Sequence, residues 1–266
     1  MKKFVSIVLA LIMMALPVSA GAVEIDTSNL YTWSTGTGYI PDIEFTKFPA
    51  DVDFYENTRL YLFVSAAASL GLMNLDENGN FNPNEYVTRA EAAAILDRLP
   101  LPYVYSAYIM FKDNSPSKWY YEAVQDVGSL IGGTYVGPSV SDPSNRFYPE
   151  QRIEKEDFIL GIYNRLNNSS ADGWFDGFTD PKYVTNFAER DYKDYEDITR
   201  IHPSMGVETT EYIDAINQLE FSGIVWCDSD GYFRPHSALT RAQVVEMIMI
   251  TYDRYRLDTY HPWGSW

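Results

Sequence analysis

The sequence predicts a mainly α-helical fold assembled from three copies of one helix–loop–helix unit. The word Thr88-Arg89-Ala90-Glu91 returns as Thr240-Arg241-Ala242-Gln243, each seven residues after the Phe of a Phe-x-Pro unit, Phe81-Asn82-Pro83 and Phe233-Arg234-Pro235. A glycine stands ten residues ahead of each phenylalanine, at Gly71 and Gly223. Landmarks at fixed offsets, 152 residues apart, mark an internal repeat, and a repeat decides the architecture before any local motif does.

A worn copy lies between these two. Phe147-Tyr148-Pro149 is followed, seven residues after Phe147, by Glu154-Lys155-Glu156-Asp157 in place of Thr-Arg-Ala-Glu. Upstream, Leu60, Phe63, Val64 and Ala67 match Tyr120, Ala123, Val124 and Val127, and then Tyr212, Ala215, Ile216 and Leu219. All three sets read i, i+3, i+4, i+7, the apolar stripe of an amphipathic helix.

Each copy therefore runs helix, Gly-bearing loop, Phe-x-Pro segment, second helix. Thr88 and Thr240 are good N-caps, and Glu91 and Gln243 three residues on complete a capping box. Apolar residues follow at helical spacing: Ala92, Ile95, Leu96 and Leu99 in the first copy, Val244, Met247, Ile248, Thr251 and Tyr255 in the third. Glu154 is a poor cap, so the worn helix should start more weakly, by roughly 1 kcal/mol. A single unit could not bury its own stripe, so the copies are expected to interlock in one domain.

These residues resemble the S-layer homology motifs that attach bacterial surface proteins to the cell wall. Phe111-Lys112-Asp113, Trp119 and Ala123-Val124 carry the resemblance in the second copy. In the third it rests on Tyr195-Glu196-Asp197, Ala215-Ile216, Leu219, Gly223-Ile224, Asp230-Gly231-Tyr232-Phe233-Arg234-Pro235 and Thr240-Arg241-Ala242-Gln243. The resemblance implies a pseudo-threefold array of motifs at 48–100, 101–166 (degenerate) and 195–256. Segment 23–47 precedes them, an acidic, aromatic insertion at 167–194 interrupts them, and a tail at 257–266 follows. The second copy also carries about six extra residues between Ile131 and Phe147.

The chain opens with Lys2 and Lys3, an apolar run from Phe4 to Leu16, Pro17 and the small-residue patterns Val18-Ser19-Ala20 and Ala20-Gly21-Ala22. That is the layout of a secretory signal peptide over 1–22, too short to span a membrane permanently. With Lys2 and Lys3 gone, the 20 basic residues become 18 against 37 acidic, a net charge near −19. Such a field excludes nucleic acid, which requires a basic stripe, and opposes anionic lipid. It is screened beyond about 8 Å in physiological salt, so local cations in a groove could still hold an anionic polymer.

The resemblance implies non-covalent binding of an anionic cell-wall polysaccharide by a secreted, wall-associated protein that is not an enzyme. Its ligand residues fall on Arg89 and Arg241, with Lys155 at the equivalent place in the worn copy and Trp119 as a sugar-stacking ring. Each Arg lies in a first helical turn, where free backbone N–H groups favour an anion and a guanidinium can grip a carboxylate through two bonds. The alternative for each Arg is a structural ion pair to a neighbouring copy, and for Trp119 a place in the core.

Other chemistries are weakly represented. Asp76-Glu77-Asn78-Gly79-Asn80 and Asp228-Ser229-Asp230-Gly231 lack the Gly and Glu spacing of a calcium loop and read as turns. His202, His236 and His261 show no metal-ligand spacing, so no metal and no cofactor are expected. The lone Cys227 excludes an internal disulfide and reads as a part-buried thiol. Two rival functions stay open: an enzyme acting on wall glycan through acidic pairs in the 167–200 stretch, and a partner-binding scaffold whose repeats have lost sugar affinity.

Overall fold

The computed structural model describes residues 43, 45–101, 108–167, 192–200 and 208–260. The expected signal peptide, most of segment 23–47, insertion residues 168–191 and the tail beyond 260 lie outside them. The described residues are mainly α-helical, as expected. The helices are α1 (Thr58–Ser69), α2 (Arg89–Arg98), α3 (Tyr121–Val127), α4 (Lys155–Asn167), α5 (Glu211–Phe221) and α6 (Arg241–Tyr260). No extended strand occurs among the described residues, only isolated antiparallel bridges.

The chain divides into two units, Met1–Phe81 and Asn82–Trp266. In the first, Asn57 caps α1 by accepting from the Leu60 N–H at 3.1 Å. The helix buries Val64, Ala66, Ala67 and Ala68. It stops at Gly71, whose φ of +74° lets the Gly71 N–H reach the Ala68 carbonyl and the Leu72 N–H reach that of Ala67. That pair of bonds satisfies two carbonyls a helix end otherwise leaves bare. Asp76 then closes a turn by accepting from the Asn78 and Asn80 backbone N–H groups. The equivalent helix of the third copy, α5, ends the same way at Gly223, with Ile224 bonded to Leu219.

In the second unit the capping boxes form as the sequence predicts. Thr88 accepts from the Glu91 N–H while the Glu91 carboxylate accepts from Thr88, and Thr240 and Gln243 repeat the exchange. Behind them Ala92, Ile95, Leu96, Val244, Met247, Ile248 and Thr251 are buried. The stripes Tyr120/Ala123/Val124/Val127 and Tyr212/Ala215/Ile216/Leu219 are buried as well. Helix α2 packs on α3, and α4 on α5, so each of these second helices lies against the first helix of the following copy.

The residues just ahead of α2, α4 and α6 are joined by backbone hydrogen bonds that pass from copy to copy. The Ile153 N–H donates to Val87 O, the Leu239 N–H to Ile153 O, and the Val87 N–H to Leu239 O, closing a ring of three. All three side chains are fully buried. Antiparallel bridges Thr88–Arg152, Glu154–Ala238 and Tyr86–Thr240 flank the ring. The sequence repeat is thus matched by a repeat in hydrogen bonding.

The Phe-x-Pro units have a fixed form too. Asn82, Tyr148 and Arg234, the middle residues, all take a left-handed φ of 56°, 60° and 58°. Asn tolerates this region; Tyr and Arg reach it only where surrounding contacts hold them. In the second copy Asp113 does the holding, accepting from the Phe147 and Tyr148 N–H groups at 3.0 and 2.8 Å. In the third copy the same clamp is Asp194, at 2.8 Å from Phe233 N and 2.6 Å from Arg234 N.

That last observation corrects the sequence alignment. The counterpart of Phe111-Lys112-Asp113 is Tyr192-Lys193-Asp194, not Tyr195-Glu196-Asp197. The Tyr192 ring tilts onto Phe233 at 5.4 Å as Phe111 tilts onto Phe147 at 5.6 Å. Residues 192–197 contain two consecutive aromatic-x-Asp words. Only the reach to the Phe-x-Pro backbone distinguishes them.

Candidate functional site

The first residue of each second helix was expected to sit beside free N–H groups. Those groups are occupied. The Arg89 and Ala90 N–H groups donate to Gln151 O and Pro149 O, those of Lys155 and Glu156 to Ser237 O and Pro235 O, and those of Arg241 and Ala242 to Glu85 O and Pro83 O. The carbonyls of the neighbouring copy have taken the place that an anion would occupy.

The side chains follow the same pattern. Arg89, 3% exposed, donates from Nε to Phe147 O at 2.7 Å, from Nη1 to Asp157 Oδ2 at 2.9 Å and from Nη2 to Thr134 Oγ1 at 3.1 Å. Its guanidinium lies over the Phe147 ring, 5.0 Å from the centroid. Lys155 repeats this one copy on, with Nζ bonded to Phe233 O (2.8 Å) and Trp226 O (3.0 Å), 4.0 Å above the Phe233 ring. A cation from one copy thus pins the Phe-x-Pro turn of the next. Arg241 is half-buried, and Trp119 is 65% exposed beside Tyr120. Arg89 and Lys155 sit at different turns, so the structure does not gather the predicted residues into one pocket.

Burial pushes the Lys155 ammonium down to about 8, against the opposing pull of Cys227, Asp194, Asp228 and Glu220. The unfolded chain releases that proton near 10.5. Between these values the unfolded state holds more protons, so the contribution of Lys155 to stability rises with pH. The neutral amine still has two N–H donors for its two carbonyls. Relative to Lys155→Met, the parent chain should gain on the order of 1–3 kcal/mol between pH 8 and 10.5, read by denaturant titration at each pH. Parallel curves for the two proteins would refute the assignment.

Arg89 borders a cleft of about 200 Å³ lined also by Gly133, Gln151, Arg152, Glu154, Glu156, Asp157, Thr199, Tyr212 and His236. Here residues of three copies meet. Burial pushes Asp157 up to about 6, with Arg89 pulling back, so at neutral pH it is ionised and paired. The Tyr212 hydroxyl donates to Asp157 Oδ1 at 3.3 Å and accepts from the Gly133 N–H at 3.0 Å. Gly133 must be a glycine: its φ is +68°, and a Cβ there would strike the Asp157 carboxylate.

On the other wall His236 Nδ1 stands 3.0 Å from Glu154 Oε2 and 3.2 Å from Glu156 Oε1. Burial alone would lower the imidazole; the two carboxylates outweigh it and raise it. Burial raises Glu156, opposed by hydrogen bonds from the Thr199 N–H and hydroxyl. The sequence reading missed this cluster, because Glu154 and His236 are 82 residues apart. The one available signal was the repeat itself, which sets the worn capping word of one copy beside the turn of the next.

Comparison with known proteins bears on what such a chain does. Residues 60–93 and 206–245 match the S-layer homology domain. These stretches fall on the first and third copies. Over 94 residues the chain is 30% identical to the surface-layer 125 kDa protein of Lysinibacillus sphaericus, a match covering 35% of this chain and 7% of that protein. The two S-layer homology stretches and this relative support a cell-surface or wall-associated setting and anchoring in general terms. No described helix is long and apolar enough to cross a membrane.

Proposed function

We propose that the chain binds an anionic cell-wall polysaccharide without covalent attachment, holding the protein at the cell surface. The observation that carries this reading is the pair of S-layer homology stretches on one chain, in the first and third copies. The closed pattern of hydrogen bonds supports reading the three copies as a pseudo-threefold array, with grooves where one copy's second helix meets the next copy's turn. Arg89 and Lys155 act on binding through the turns they pin. Arg241, half-buried, and Trp119, exposed, are the direct contacts in this reading, one for an acid group and one for a sugar face.

The test is co-sedimentation with purified wall sacculi, before and after the secondary polymer is extracted with acid. Binding should be saturable on intact sacculi and lost on extracted ones. Arg241→Ala should weaken it roughly tenfold or more while leaving the circular dichroism spectrum unchanged, since a charge-assisted bond is worth about 1.5–3 kcal/mol. Equal binding to extracted sacculi would sink the polymer as ligand. Release of sugars from the same sacculi would favour an enzyme.

A further inference from the structure

We infer that Glu154, Glu156 and His236 form a binding site for one divalent transition-metal ion of the zinc type. The three ligand atoms lie within 4.8 Å of one another on the wall of the cleft. The Nδ1-to-oxygen separations of 3.0 and 3.2 Å fall a little short of the roughly 3.4 Å between two atoms held about 2.0–2.2 Å from a tetrahedral ion, so small side-chain movements would let them share one. Imidazole with carboxylate is a donor set for zinc-like ions; calcium requires six or more oxygens.

A second feature, from residues outside the cluster, points the same way. Metal-binding carboxylates are themselves held by hydrogen bonds from residues that are not ligands. His236 Nδ1 faces both glutamates. Glu156, 2% exposed, has both oxygens fixed by Thr199. Thr199, which is not itself a ligand, thus orients the most buried of the three. The cleft beyond them leaves room for water at the open coordination positions.

Such an ion would tie the start of α4 in the second copy to the turn before α6 in the third. It should therefore stabilise the folded state by mass action. The experiment is calorimetric titration of chelator-stripped full chain with zinc chloride and, separately, calcium chloride, with thermal melts alongside. Zinc should bind at a stoichiometry that falls by one in both His236→Gln and Glu154→Gln, and should raise the parent's Tm more than either variant's. Thr199→Val, which removes one bond to Glu156 and no ligand, should weaken zinc binding about 10- to 100-fold. Zinc stoichiometry unchanged in the two ligand variants, with folding confirmed by circular dichroism, would overturn the site. So would an absence of zinc binding at micromolar protein, which would leave the cluster as an imidazole bridging two carboxylates. Calcium binding lost in the same variants, with zinc indifferent, would overturn the choice of metal.

Discussion

Arg89→Met should lower the unfolding free energy by about 3–5 kcal/mol, more than most single substitutions can. The loss comes less from missing contacts than from what remains. Asp157, buried and held by Arg89 at 2.9 Å, would lose the counterion that keeps it ionised and be driven to take up a proton, and the Phe147 carbonyl and Thr134 hydroxyl would each lose a donor. Replacing both members, Arg89→Met with Asp157→Leu, should recover most of the loss, because a buried ion pair exchanged for apolar groups of similar volume is often neutral. Denaturant titration of the three proteins measures this. A single substitution costing under 1 kcal/mol would mean that Arg89 is not the strut described. The folded double variant then serves a second purpose: its wall binding reports whether Arg89 touches polymer or only supports the turn.

Phe233→Ala should cost a comparable 3–5 kcal/mol. The ring is fully buried, packs on Tyr192 at 5.4 Å and lies beneath the Lys155 ammonium. The backbone bonds to Asp194 and Lys155 use the amide and carbonyl of Phe233, so they survive in principle. What is lost is volume and the cation's aromatic face. Phe233→Leu keeps most of the volume and should cost less, about 1–2 kcal/mol. If alanine and leucine variants melt together, the space closes without the ring and the packing account is wrong.

Much of this was legible in the sequence, for a physical reason. Helix faces and caps are set by residues within one turn, so Val124, Ile216, Thr88 and Gln243 announce themselves by spacing alone. The pairing of copies was not legible at that range. Nothing near Arg89 says that its N–H will meet Gln151 O, or that its guanidinium will meet Asp157, 68 residues on. The anion site expected at each helix start presumed bare donors, and the next copy covers them. The choice of Tyr192-Lys193-Asp194 over Tyr195-Glu196-Asp197 likewise depends on a reach of 39 residues, from Asp194 to Phe233. Sequence repetition located the turns; the partners of each turn lay outside any local window.

The three-membered ring through Val87, Ile153 and Leu239 also bears on how fast the chain can fold. One of its bonds joins Val87 to Leu239, across 152 residues. Ordering so long a loop costs entropy before any contact repays it, and contacts of that span slow folding. While the chain is being made, only the Ile153-to-Val87 bond can form. The Val87 amide and the Ile153 carbonyl wait for the last copy. Until Leu239 arrives, apolar stripes and unpaired backbone groups remain open to other chains, so the interval before closure is when this protein is most exposed to aggregation.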